Sequence, residues 1–133
     1  LSESSISPPK RILVIDDQRD VRMVLQAMLT RLGSTVIVAQ NGAEGVAKAK
    51  ADRPDVVICD IVMPGDLDGY AVARHLRQDA ETACCFLIAL TGRNDDDDIR
   101  LAREAGFDAQ AVKPVDLARL RELLASAAAH ARS

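Results

Sequence analysis

Tryptophan is absent from this chain, and 133 residues include one tyrosine and two phenylalanines. With aromatics at 2% and hydrophobic residues at 48%, the interior must be assembled from Val, Ile, Leu and Ala. Cysteine is nearly as scarce. Cys59, Cys84 and Cys85 are odd in number and lack the CxxC spacing of a metal site. They read as small buried or half-buried thiols in a reducing compartment rather than a disulfide framework. No apolar run approaches the roughly 20 residues that span a bilayer, so membrane insertion is not expected. No charged-then-apolar leader marks secretion. Basic charge is not in excess either: 17 Lys and Arg face 20 Asp and Glu. The net charge of −3 leaves no general footprint for direct nucleic-acid binding.

The length suits one domain. Residues 1–9, Ser-rich and closing on Pro8-Pro9, read as a disordered linker or an expression remnant. The expected domain occupies residues 10–127, with 128–133 as a fraying tail. Within it, short apolar runs suited to buried strands occur at 11–16, 35–39, 55–60, 86–90 and 109–112. Helical segments alternate with them at about 21–32, 43–51, 69–77 and 96–105, and Asp116 opens a fifth. The first helix carries Val21, Val24, Leu25, Met28, Leu29 and Leu32 at helical spacing. The last shows Leu117, Leu120, Leu123 and Leu124, and an Ala-rich stretch continues it. Five strand–helix units predict a parallel sheet with right-handed crossovers and helices on both faces, an α/β three-layer sandwich.

In such a sheet, ligands bind beyond the carboxyl ends of the strands. Asp16, Asp17, Asp60, Thr91 and Lys113 all fall there. Each has an ordinary alternative. Adjacent acids suit a turn and helix cap, Thr at a strand end is common, and a lysine is usually a surface residue. Asp60 shifts the balance, because an ionised group ending a fully apolar run is costly without a partner. Three converging carboxylates repel, which raises at least one pKa and favours a divalent cation. With no His or Cys ligand at hand, magnesium fits better than zinc. The Thr91 hydroxyl and the Lys113 ammonium suit phosphoryl oxygens. Gly92 leaves room for a ligand, and Lys113-Pro114 permits a cis bond. A carboxylate in such company can itself be a nucleophile and form an aspartyl-phosphate. Asp60, central in the expected sheet, is the candidate.

Five stretches carry a family pattern. They are Leu13-Val14-Ile15-Asp16-Asp17; Asp60-Ile61-Val62-Met63-Pro64 with Asp68-Gly69-Tyr70; Ala89-Leu90-Thr91-Gly92; Ala105-Gly106-Phe107-Asp108-Ala109; and Val112-Lys113-Pro114. Together they resemble the receiver domain of two-component response regulators, over about residues 10–125. The resemblance implies a flavodoxin-like (βα)5 fold with strand order 2-1-3-4-5. It implies that Asp60 accepts a phosphoryl group from a phosphohistidine of a histidine kinase or histidine phosphotransfer domain. Asp16, Asp17, Asp60 and the backbone carbonyl of Val62 would hold Mg2+, while Thr91 and Lys113 would contact the phosphoryl group. Thr91 would then move, and the face formed by the fourth helix, fifth strand and fifth helix would change shape for an output partner or self-association. Val62 and Arg93 fall at positions that tune phosphoryl lifetime. Val21, Met23, Val24 and Ala27 lie on the helix where the phosphodonor docks in the family. Such a domain signals rather than turning over a substrate, catalysing only its own phosphorylation and slow dephosphorylation. The implied setting is the bacterial cytoplasm, with a tether to a membrane kinase if the domain belongs to a hybrid kinase, toward which the stretches around Phe107 and Lys113 lean.

Two positions depart from the family pattern. The usual aromatic switch residue, three places before the lysine, is Gln110, so ring rotation is not the readout. The loop after Asp60 is one residue longer than the common form, through Pro64-Gly65-Asp66-Leu67. Apolar Val62 positions water poorly, which predicts slow self-dephosphorylation. Other functions fit less well. An aspartyl-nucleophile phosphatase carries a second Asp where Val62 stands. An FMN module wants a Ser/Thr/Gly-rich loop where Asp16-Asp17-Gln18 would repel phosphate. A degenerate, binding-only receiver is disfavoured because all five acceptor-site residues are present. His75 and His130 are isolated and read as surface residues.

Overall fold

The computed structural model describes residues 11–92 and 95–132. Five strands alternate with five helices: β1 (Arg11–Ile15), α1 (Arg19–Arg31), β2 (Thr35–Ala39), α2 (Gly42–Asp52), β3 (Val56–Asp60), α3 (Gly69–Gln78), β4 (Phe86–Thr91), α4 (Asp96–Ala105), β5 (Ala109–Val112) and α5 (Leu117–Arg132). The strands form one sheet in the order β2-β1-β3-β4-β5, and every neighbouring pair is parallel. This is the flavodoxin-like order that the resemblance implied.

Side chains alternate strictly across the sheet, as the two-residue period of a strand requires. Leu13, Ile15, Val57, Cys59, Leu87 and Ala89 face one way, against Ala49 of α2, Val72, Ala73 and Leu76 of α3, and Ala102 and Ala105 of α4. Ile12, Val14, Val56, Ile58, Ile88 and Leu90 face the other way, against Leu25 and Leu29 of α1 and Leu120, Leu123, Leu124 and Ala127 of α5. Both faces are covered, which is why β3 and β4 are buried along their whole length. Truncating a fully buried leucine such as Leu76 to alanine in a core this tight costs about 2–5 kcal/mol.

Four helices start on an Asx cap. Asn41 accepts from the Glu44 N–H at 2.8 Å, Asp68 from Ala71 at 2.9 Å and Asp95 from Asp98 at 2.9 Å. Asp116 accepts from the Arg119 N–H at 2.8 Å in the first turn of α5. Helix α1 begins at Arg19 rather than near residue 21. Its first turn is closed by Arg22 N–H to the Gln18 carbonyl, and solvated Arg19 and Asp20 leave no apolar period to mark it.

Two other expectations need correction. Val24 is 56% exposed, because Leu25 and Leu29 take the buried line of α1 and leave Val24 on its outer edge. Cys84 is exposed, although Cys59 and Cys85 are buried. His75 and His130 are exposed, as expected, but the His130 ring also meets Phe86 edge-on, with centroids 5.3 Å apart. At the amino end of the sheet, Arg77 donates to the carbonyls of Gly106, Ala83 and Cys85 and to Asp108 Oδ2, tying α3 to both flanking loops. Among the described residues, no helix is long and apolar enough to cross a membrane.

Candidate functional site

The carboxyl ends of β1, β3, β4 and β5 bring the singled-out residues to one edge. Asp16 follows β1 and is fully buried. Its N–H donates to the Ala39 carbonyl at 3.1 Å, extending the ladder to β2. Its own carbonyl accepts from the Arg22 guanidinium at 2.8 Å, and its Oδ1 accepts from the Gln18 N–H at 2.9 Å. Asp60 is the last residue of β3 and is 5% exposed. Asp17 is exposed, yet one oxygen from each of Asp16, Asp17 and Asp60 lies within 4.8 Å of the others. Thr91 ends β4, one residue beyond Leu90, which pairs with Asp60 across the ladder. The Thr91 carbonyl accepts from the Lys113 N–H at 2.8 Å. The Lys113-Pro114 bond is cis. The Lys113 ammonium lies 3.0 Å from Asp60 Oδ2 and 3.2 Å from Asp16 Oδ2.

The electrostatics follow from this crowding. Burial raises the Asp60 pKa and the Asp16 charge adds to it, against the opposing pull of Lys113 and the Val62 N–H. Burial alone would lower the Lys113 pKa, but hydrogen bonding and attraction to Asp60, with Asp16 behind it, raise it on balance. Both partners of the Asp60–Lys113 pair are therefore raised. One ammonium does not neutralise a buried carboxylate that also faces a second carboxylate. Asp16 Oδ2 is buried, and among the described residues the Lys113 ammonium at 3.2 Å, shared with Asp60, is its one polar contact. Clustered carboxylate oxygens, with one ammonium shared between two buried carboxylates, fit a hard divalent cation that takes oxygen ligands. Cys59 is not part of the set. Its side chain packs in the core, its Sγ donates to the Asp60 carbonyl at 3.3 Å, and burial pushes its thiol far up.

Val62 is 78% exposed and stands between buried Ile61 and Met63. Its N–H donates to Asp60 Oδ1 at 3.2 Å. Gly69, at the start of α3, packs directly on the Asp60 carbonyl oxygen, where any Cβ would overlap it. Gln110 is part-buried on β5, its Oε1 lacks a hydrogen-bond partner, and its backbone carbonyl accepts from Arg119 at 3.0 Å. Arg93 lies outside the described residues, as do residues 1–9. On α1, Met23, Val24 and Ala27 are exposed and Val21 is half-buried. Beside them a groove of about 370 Å3 runs between α1 and the start of the β5–α5 connection. It is lined by Val21, Val24, Met28, Pro114 and Val115, with Lys113 at its rim. Sequence reasoning missed Arg22, whose guanidinium holds the Asp16 carbonyl. Arg22 is one helical turn beyond Gln18, a spacing that carries no signal without the fold.

Comparison with known proteins agrees with this geometry. The response regulator receiver domain family matches residues 12–125. Protein PilH of Pseudomonas aeruginosa is 42% identical over 106 residues, covering 80% of this chain and 87% of PilH. The transcriptional regulatory protein AfsQ1 of Streptomyces coelicolor is 38% identical over 104 residues, 78% of this chain but 44% of AfsQ1. The receiver domain of the sensor histidine kinase PA1611 from Pseudomonas aeruginosa, solved with a magnesium ion coordinated in its active-site cleft, superposes with a TM-score of 0.83 at 29% identity. That match covers 91% of this chain and 98% of the solved one. A carboxylate cluster, a lysine and a threonine at the strand ends of a 2-1-3-4-5 sheet, matched over nearly the whole chain, place this protein in the response regulator receiver family of two-component phosphorelay signalling.

Proposed function

We propose that this domain carries out magnesium-dependent transfer of a phosphoryl group from a phosphohistidine to Asp60. The observation that carries the reading is the Asp60 carboxylate, held within 4.8 Å of the Asp16 and Asp17 oxygens and 3.0 Å from the Lys113 ammonium. An Asp60 oxygen attacks phosphorus, the P–N bond to the donor imidazole breaks, and a P–O bond forms to give an acyl phosphate. The imidazole leaves with the bonding electron pair and takes up a proton. Asp16, Asp17, Asp60 and the Val62 carbonyl would hold Mg2+, which supplies charge neutralisation for the phosphoryl oxygens. Lys113 contributes a second positive charge, already paired to the nucleophile. The Thr91 hydroxyl supplies a hydrogen bond to a phosphoryl oxygen. The magnesium in the PA1611 receiver supports the metal reading by likeness.

The phosphodonor is a histidine kinase or a histidine phosphotransfer domain. The apolar groove beside exposed Met23 and Val24, with Lys113 at its rim, suits a partner that presents its histidine over Asp60. Output, or self-association, runs through the face of α4, β5 and α5. There the part-buried amide of Gln110, rather than an aromatic ring, responds to Thr91. Exposed Val62 offers attacking water no polar partner, so the acyl phosphate is long-lived, and Arg93 contributes to that lifetime. The domain is a signalling module whose only catalysis is its own phosphorylation and slow dephosphorylation. Its proposed setting is the bacterial cytoplasm, alone or within a larger protein such as a hybrid kinase. The chain spans less than half of AfsQ1.

Intact mass after incubation with acetyl phosphate tests the reading on wild type and Asp60→Asn, with and without Mg2+. A magnesium-dependent gain of one phosphoryl group, absent in Asp60→Asn, is expected. An adduct that persists in Asp60→Asn, or that forms equally without divalent cation, overturns it.

A further inference from the structure

The segment between Asp60 and α3 crosses from the metal site to the edge of the molecule and back. Ile61 and Met63 are buried, Val62 between them is turned outward, and Pro64, Gly65 and Asp66 are exposed. Gly65, at φ +101°, turns the chain back. Leu67 then descends, half-buried, against the core beneath α2 and α3.

Both feet of this loop rest on glycines. At one foot, Gly69 N–H donates to the Ile61 carbonyl at 2.9 Å, and Gly69 lies against the backbone of Asp60 and Ile61 too closely for a Cβ. At the other, Leu67 sits on Gly42, the first residue of α2. A Cβ on Gly42 would stand 2.5 Å from the Leu67 carbonyl oxygen, 2.6 Å from Leu67 Cβ and 3.0 Å from Val72 Cγ2. The backbone at Gly42 thus receives the Leu67 backbone and Cβ, while the rest of the leucine side chain holds the contact by packing on the core that Val72 shares.

The seat is itself fixed relative to the other half of the metal site. Asn41 caps α2 through the Glu44 N–H, and the Glu44 carboxylate accepts from the Gln40 N–H at 3.0 Å, tying the cap to the residue before it. Ala39, two residues before Asn41, accepts the Asp16 N–H. The amino end of α2 therefore has rigid connections to Asp16 on one side and to the Asp60–Val62 loop, through Leu67, on the other.

We propose that Leu67, seated on Gly42, is a positioning residue that sets the Val62 end of the metal site relative to Asp16 and Asp17. The proposal rests on the metal reading above. Without the seat, the backbone segment that carries the Val62 carbonyl keeps the Gly69–Ile61 hydrogen bond and buried Met63 but loses its hold on α2. Its spread of positions then includes many in which the carbonyl and the Asp60 carboxylate do not face the same point as the Asp16–Asp17 pair.

Binding of Mn2+ to the full chain, followed by the electron paramagnetic resonance signal of the free ion, tests this directly. Leu67→Ala weakens Mn2+ binding roughly 3- to 10-fold, the lower range for groups that orient ligands without touching the metal. Leu67→Met, which refills the seat, restores it. Gly42→Ala, which pushes Leu67 off from the other side, reproduces the loss. Ile37→Ala trims the same core from β2 and serves as the control. It lowers the melting temperature but leaves Mn2+ affinity unchanged, as a stability effect alone would. Wild-type affinity in Leu67→Ala overturns the proposal, and so does an equal loss in Ile37→Ala. Absence of Mn2+ binding in the wild type overturns the metal reading, and the positioning role with it.

Discussion

Replacing Asp60 by asparagine should make the metal-free protein more stable. At an effective dielectric near 20, two like charges 4.8 Å apart cost about 3.5 kcal/mol, and Asp60 faces both Asp16 and Asp17 at that separation or less. Solvent around exposed Asp17 reduces its share. Lys113 at 3.0 Å offsets roughly 5.5 kcal/mol on the same scale. The pairwise energies nearly cancel, which leaves the desolvation of a carboxylate that is 5% exposed to decide the sign. Asp60→Asn keeps the shape and removes the charge, so a gain of about 1–2 kcal/mol is expected, or roughly 3–6 °C in melting temperature for a domain this size. Circular dichroism is the suitable probe, since the chain has no tryptophan.

Magnesium should narrow the difference. At ten times its dissociation constant, a ligand stabilises the form it binds by about 1.4 kcal/mol. The wild type gains this and the variant gains less. The pH dependence carries the same sign. The Asp60 pKa is higher in the native state than in the unfolded chain, so its contribution is fully present below the ordinary carboxylate range. It is lost as pH rises through the native value. Metal-free wild type should lose stability over that interval relative to Asp60→Asn. A variant that melts lower than wild type without Mg2+, or Mg2+ stabilising both equally, refutes the reasoning.

Arg77→Met should cost about 2–4 kcal/mol in urea unfolding, because three carbonyls and Asp108 lose a donor that is 24% exposed. A loss below about 1 kcal/mol would mean that water replaces the guanidinium without penalty. In a time course by mass spectrometry, Val62→Asn should shorten the life of the acyl phosphate several-fold, and an unchanged hydrolysis rate would remove Val62 from the account. Burial raises the Cys85 thiol to about 11 and pushes Cys59 further up, so at neutral pH a thiol-alkylating reagent should label exposed Cys84 alone until the chain unfolds. Modification of Cys59 in the folded protein would contradict its place in the core.

The strand ends were legible because apolar runs of up to five residues, punctuated by Asp, Thr-Gly and Lys-Pro, need no tertiary information to read. Helix α4 and strand β5 lie at the residues expected for the same reason: an acidic start with Gly106 as the stop, and a short run ended by Lys-Pro. The edges of helices were less legible. Arg19 and Asp20 belong to α1 but carry no apolar period. Val24 shares the period of the core stripe and still lies outside it, because a 3.6-residue repeat defines a band and not which edge of the band is covered. Arg77 reads as one more basic residue on an amphipathic helix until the fold brings four acceptors around it.

The sequence by itself determined the number and order of the elements, the parallel sheet, and the collection of Asp16, Asp17, Asp60, Thr91 and Lys113 at one edge. Those follow from periodicity and from the geometry of any doubly wound sheet. Only the tertiary structure decided which helices share a face and that Lys113 stands between Asp60 and Asp16. It alone buried Asp16 Oδ2 and seated Leu67 on Gly42. These are contacts between residues far apart in the chain. They depend on distances of a few ångströms set by packing, and no local pattern encodes them.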